Sequence, residues 1–182
     1  MVLLRSVPVQ LVFDVRTVPR SRYNPQFNQT NLQRELPRAG IRYHPAPRLG
    51  GLRRPRKDST NDGWRNASFR GFADYMETPE FDQGLSELVA ASTGQATAIL
   101  CAEAVPWRCH RSLIADALLI RSIEVVHLLS TGKLQPHRLT PFATVVGDRL
   151  RYPRPPPSAV RLEDYSEAAE ASRRHDPPAA PP

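Results

Sequence analysis

QATAILCAEAVPWRCHRSLIADALLIR, residues 95–121, is the stretch that decides the fold. Gln95–Cys101 is a short apolar run, fit for the centre of a sheet. Ser112–Arg121 then aligns Leu113, Ala117 and Ile120 on one side at helical spacing. A strand that turns through Pro106 into a helix is half of a βαβ unit.

The flanking chain repeats the pattern. VQLVFDV, residues 9–15, reads as a buried parallel strand, and Asn28 can cap a helix over 29–38 that ends at Gly40. IRYH at 41–44 reads as a second strand. Thr78-Pro79-Glu80 is a helix start, and the helix runs to about Ala91. IEVVHLL, 123–129, completes the series as a fourth core strand. The expectation is an α/β fold, a mostly parallel sheet with flanking helices in three layers. FATVVGDRLRY adds a small C-terminal hairpin on a Gly-Asp turn. Residues 1–152 form one domain on this reading, and 153–182 a disordered Pro/Ala-rich tail with a nascent helix at 161–172.

Between Pro45 and Tyr75 no period is legible. Gly50-Gly51, RRPRK and DSTNDG predict a long surface loop, flap-like around RRPRK and pinned in its second half by Trp64, Phe69, Phe72 and Tyr75.

The chain has 182 residues and a formal net charge of +7. From Arg16 to Arg70 it carries 13 Lys or Arg against Glu35, Asp58 and Asp62, so the rest is slightly acidic. That clustering points to an anionic partner, a phosphate-bearing small molecule or nucleic acid, or to a solvated basic surface. No apolar run reaches the roughly 20 residues of a membrane span. MVLLRSVPVQLVF imitates a secretory leader but holds Arg5 and Pro8 and lacks a cleavage site, so the expected location is cytoplasmic. In that compartment the two cysteines are expected as thiols, not a structural disulfide.

Sites in parallel α/β sheets form at the carboxyl ends of strands. Asp14 and Arg16 follow the first strand here, and Cys101 and Glu103 follow the 95–101 strand. Cys109, His110 and Arg111 enter the next helix, whose N-terminus favours an anion or a thiolate. Cys101 reads as a buried small hydrophobe and Cys109 as the reactive member. A phosphatase loop is excluded, because six residues rather than five separate Cys101 from Arg108. A Cys-Glu-Cys-His metal set stays open as an alternative, although no familiar ligand spacing is present. Trp64 and Trp107 could stack on a ring, with packing over the site the simpler reading.

Together DVRTVPRSRYNPQFN, IRYHPAPRLGG, GWRNASFRGFADYMETPEF, LCAEAVPWRCHRSLIADAL and VVHLLSTGKLQPHRLTPFA resemble the domain of unknown function 488 family over about residues 9–152. The resemblance implies a bacterial cytoplasmic α/β protein and no particular activity. It marks Asp14, Arg16, Pro19, Ser21, Asn24, Phe27, Gly50, Gly51, Arg70, Gly71, Cys101, Glu103, Cys109, His110 and Arg111. It also implies a preceding strand that ends in a Gly-His-Ser stretch. Only eight residues precede Val9, so that strand is expected to be missing here.

These readings give three functional expectations. One is an enzyme whose catalytic groups are Asp14, Cys101, Glu103, Cys109 and His110, with substrate held by Arg16, Ser21, Asn24, Arg70, Trp107 and Arg111. The others are a nucleic-acid-binding module built on 16–70 and a metal-dependent site. The sequence names no cofactor and no oligomeric state. The site residues are expected to share one cleft.

Overall fold

A computed structural model describes residues 2–129 and 133–156. The expected 153–182 tail and its nascent helix therefore fall almost wholly outside the described residues.

The centre is a three-stranded parallel sheet. β1 (Leu11–Asp14) lies between β2 (Arg42–Pro45) and β3 (Thr97–Leu100), with Asp14 opposite Pro45 on one side and Leu100 on the other. A short α1 (Val2–Arg5) precedes β1. All four residues of β1 are buried, Leu11, Val12 and Phe13 by their apolar character and Asp14 in its ion pair with Arg16. One face carries Val12, which packs with Leu32 and Leu36 of α2 (Gln29–Arg38) and with Ile41. The other carries Leu11, Phe13 and Val15 against Phe72 of α3 (Ala67–Tyr75), Phe81 and Leu85 of α4 (Pro79–Ser92), and Leu113 and Ile114 of α5 (Arg111–Leu119). The helices change face because the chain first steps from β1 to β2, then back across β1 to β3; right-handed crossovers then require opposite faces.

Four features depart from the sequence reading. The 123–129 segment is not a core strand. Its strand β4 (Val126–Leu128) pairs antiparallel with β5 (Leu134–Pro136), apart from the parallel sheet. A strand buried on both faces would have to bury the His127 imidazole unpaired; on the hairpin, His127 Nε2 instead meets His137 Nδ1 at 3.0 Å. Asn28 does not cap α2 through its side chain, because its Oδ1 accepts from the Ser21 backbone N–H at 2.6 Å.

α3 arises where a loop was expected. Asn66 Oδ1 caps it by accepting from Ser68 N–H at 2.8 Å, and Gly71 sits in it because a Cβ there would fall 2.4 Å from the Arg53 carbonyl. The RRPRK flap is likewise tied down: Arg53 lies 3.6 Å over the Tyr75 ring, and Asp74 accepts from Arg56 N–H and Ser59 hydroxyl at 2.8 and 2.6 Å. Thr78 caps α4 as expected, its hydroxyl accepting from Phe81 N–H. The hairpin of β6 (Thr144–Val146) and β7 (Arg149–Arg151) also forms as expected, with Gly147 at φ 64° in its turn. Leu150 in β7 and Tyr152 just after it seal the core.

Candidate functional site

The strand order β2-β1-β3 makes the gap between β1 and β3 a topological switch point, where the connecting helices leave for opposite faces. The carboxyl ends at this gap are Asp14 and Leu100. From Leu100 the chain passes Cys101, makes a 3-10 turn at Pro106–Arg108, and reaches Cys109 and His110 at the mouth of α5.

His110 organises this turn. Its Nε2 lies 3.0 Å from the Leu49 carbonyl, which can only accept, so Nε2 carries the proton. In the neutral ring Nδ1 is then the lone-pair nitrogen and in the protonated ring a donor, and it faces Cys101 Sγ at 3.7 Å and Cys109 Sγ at 3.8 Å. Phe72 meets the ring edge-on at 4.9 Å between centroids. Arg111 donates to Cys109 Sγ through Nε at 3.2 Å and through its backbone N–H at 3.5 Å, while its Nη2 donates to the Glu103 carbonyl.

The two thiols act as one titrating unit. Cys109 is held below the ordinary thiol range, first because the Cys101 thiol hydrogen-bonds to it, with His110 and Arg111 adding to the effect against burial. Cys101 is pushed up because it keeps the shared proton and is itself partly buried. Neither cysteine is disulfide-bonded. The sequence reading of the pair is reversed in one respect. Cys109 is only 2% exposed, whereas Cys101 is half-buried and reaches the surface.

The expected single cleft resolves into two groups. Cys101 packs with the Phe13–Val15 side of the sheet, whereas Leu100 and Tyr43 lie with Val12 on the opposite face. Asp14 belongs to that second face. Its carboxylate accepts from Arg16 Nε at 2.8 Å, Arg16 Nη2 at 2.5 Å and Tyr43 hydroxyl at 2.6 Å. Arg16 Nη1 donates to the Phe27 carbonyl at 2.8 Å. Burial, then the neighbouring carboxylate, hold the Tyr43 phenol protonated well above its usual range. These residues line an open cleft of about 630 Å³ with Thr17, His44 and Arg48, and no cysteine borders it. Adjacent glycines abut the two groups: a Cβ on Gly50 would strike Thr17, and one on Gly51 would strike His110.

The remaining candidates are dispersed. Glu103 is exposed and contributes its carbonyl rather than its side chain to the Arg111 contact. Trp107 is 58% exposed and does not pack over the site. Trp64 packs instead against Phe69, Phe142 and Tyr152. Ser21 and Asn24 brace their own loop, Ser21 Oγ accepting from Asn24 N–H at 2.9 Å. Arg70 holds a buried Nε without a partner among the described residues, a donor suited to an anion.

Sequence reasoning missed a second polar centre. Asp116 is fully buried in α5, and Oδ1 accepts from His137 Nε2 at 2.8 Å and Thr140 N–H at 3.0 Å. Oδ2 accepts from Thr140 and Tyr152 hydroxyls at 2.7 and 3.0 Å. An acid within the otherwise apolar SLIADALLI was the available signal.

No described helix is long and apolar enough to cross a membrane. Comparison with curated proteins and with solved structures finds no match. A family model does match, over residues 1–118 rather than the expected 9–152, so it spans α1 through the site to α5 and stops before β4. By that match the chain belongs to the family described as domain of unknown function DUF488.

Proposed function

We propose that the protein is a thiol-dependent enzyme acting on a phosphate-bearing or nucleobase-like substrate at the switch point. The observation that carries this reading is His110 Nδ1, placed 3.7 and 3.8 Å from the two sulfurs while Nε2 is committed to Leu49. A histidine fixed in this tautomer is a general base for a thiol.

The half-buried Cys101 is the member that meets substrate. Its Sγ attacks the electrophilic centre, its proton passes to His110 Nδ1, and the leaving group departs with the bonding pair and recovers that proton. Water then cleaves the adduct and restores the thiol. Cys109, with Arg111 and its backbone N–H donating to sulfur, holds negative charge beside the reacting pair. Arg70 and Arg111 supply donors for the substrate's anionic group. Asp14 and Arg16 neutralise each other on the opposite face, so they shape the sheet edge rather than the reaction.

The polyanion reading loses support from the ion pairs. Arg16, Arg34, Arg38, Arg48 and Arg56 each lie against a carboxylate, which leaves less free charge for phosphates.

The test is limited alkylation of reduced, chelator-treated protein with iodoacetamide, followed by peptide mass spectrometry. Cys101 should label first, inorganic phosphate should protect it, and His110→Ala should slow labelling by about a hundredfold, the lower end of general-base effects. Labelling at the rate of a free cysteine, unchanged by His110→Ala, would end this proposal.

A further inference from the structure

We propose that Cys101, Cys109 and His110 bind one divalent ion of the zinc class, leaving the fourth tetrahedral position open to an anion. The inference goes beyond the thiol reading, because with an ion bound both sulfurs are ligands and neither can attack.

The geometry fits before any ion arrives. The two sulfurs and a histidine nitrogen all lie within 4.8 Å of one another. In tetrahedral zinc sites, Zn–S near 2.3 Å and Zn–N near 2.0–2.1 Å place sulfur and nitrogen about 3.6 Å apart, and two sulfurs about 3.8 Å apart. The sulfur–nitrogen separations here are 3.7 and 3.8 Å. In the neutral ring this nitrogen is the one that carries no proton, as ligation demands. Its partner nitrogen is bonded to the Leu49 carbonyl, the outer-sphere contact that orients metal-bound imidazoles. Gly51 and Phe72 fix the ring plane, so little order remains to be imposed on binding.

The chemistry of the donors selects the ion. Two thiolates and an imidazole are soft to borderline ligands, suited to zinc and foreign to magnesium or calcium, which require oxygen. Three protein ligands rather than four leave the site open, the pattern of catalytic and not structural zinc. Two thiolates neutralise a divalent ion, and the Arg111 guanidinium 3.2 Å from Cys109 Sγ adds one positive charge. That surplus favours an anion in the fourth position. Glu103, expected as a fourth ligand, is not within the cluster.

The experiment is a titration of reduced, chelator-stripped, full-length protein with cobalt(II). One equivalent should bind and produce tetrahedral visible bands with a thiolate-to-cobalt charge-transfer band, and zinc should bleach both. Cys101→Ser and His110→Ala should each weaken cobalt binding by at least about a hundredfold, the upper end of what outer-sphere changes cost. Glu103→Gln should leave it unchanged. Circular dichroism identical to that of the native protein certifies each variant, and the native spectrum stands without them. Absence of the charge-transfer band in the folded native protein, or undiminished binding by both ligand variants, overturns the proposal; so does loss of binding in Glu103→Gln. Failure here leaves the alkylation result on stripped protein untouched, and the reverse also holds.

Discussion

Gly51 backs directly onto the imidazole of His110: a Cβ built on Gly51 would lie 2.4 Å from Nδ1 and 2.6 Å from Cγ. The ring cannot swing away freely, since Leu49 holds its far nitrogen and Phe72 its edge. Gly51→Ala should therefore destabilise the protein by about 1–3 kcal/mol, the usual cost of overpacking. It should also abolish the enhanced labelling of Cys101 while the circular dichroism spectrum persists. Unaltered labelling kinetics would mean that the ring has room the structure does not show.

The thiol pair predicts an unusual pH profile. It releases its first proton below the ordinary thiol range and its second above it, so one proton is shared across neutral pH. A free cysteine below its pKa of about 8.5 gains roughly tenfold in alkylation rate per pH unit. Cys109, which carries the charge once the first proton has left, should instead show in stripped protein a slow but nearly flat rate from mildly acidic to mildly alkaline buffer. Cys101→Ala should lose that plateau on the acid side, because the principal donor holding Cys109 down is then removed. A tenfold rise per unit in the native protein would contradict the shared proton.

Asp14 and Arg16 form a buried ion pair, with 1% and 7% of their side chains exposed. Removing one partner strands the other charge, at a cost of about 3–5 kcal/mol. Asp14→Asn should lower the urea midpoint accordingly with an unchanged slope. The double variant Asp14→Leu/Arg16→Met should recover most of the loss, since an apolar replacement of a buried pair is often neutral. A double variant as unstable as the single one would assign the effect to Tyr43 and Phe27.

Asp116 gathers four donors from three residues, His137, Thr140 and Tyr152. Asp116→Ala should cost about 3 kcal/mol or more, as each stranded buried donor carries about 1–3 kcal/mol. Tyr152→Phe removes one donor and should cost about 1 kcal/mol. Denaturation midpoints would measure both. Equal losses would show that the carboxylate does not hold the C-terminal segments to α5.

How much of the fold and the site was legible in the sequence depends on where each signal lies. α4 was readable because Thr78 and Pro79 specify a helix start locally. α3 was hidden by Gly71, whose reason for being there is the Arg53 backbone, remote in sequence. β4 was misplaced because VVHLL is apolar enough for a core strand, whereas it pairs with β5 and His127 meets a second histidine ten residues on. The Cys101, Cys109, His110 and Arg111 cluster was visible because it occupies one strand-to-helix turn. That Asp14 faces away from it was not. Asp14 sits opposite Leu100, so Cys101 points to the other side, and that register depends on strand pairing absent from either segment alone.

The switch point itself has a consequence for descent. The gap between β1 and β3 exists because the chain steps outward in two directions from β1, and it owes nothing to the thiols that border it. Descendants can exchange the side chains at the turn after β3 for other nucleophiles or ligands, and the crevice survives as long as the winding does. Chemistry here is replaceable at a handful of positions, whereas the place for chemistry is inherited with the connectivity.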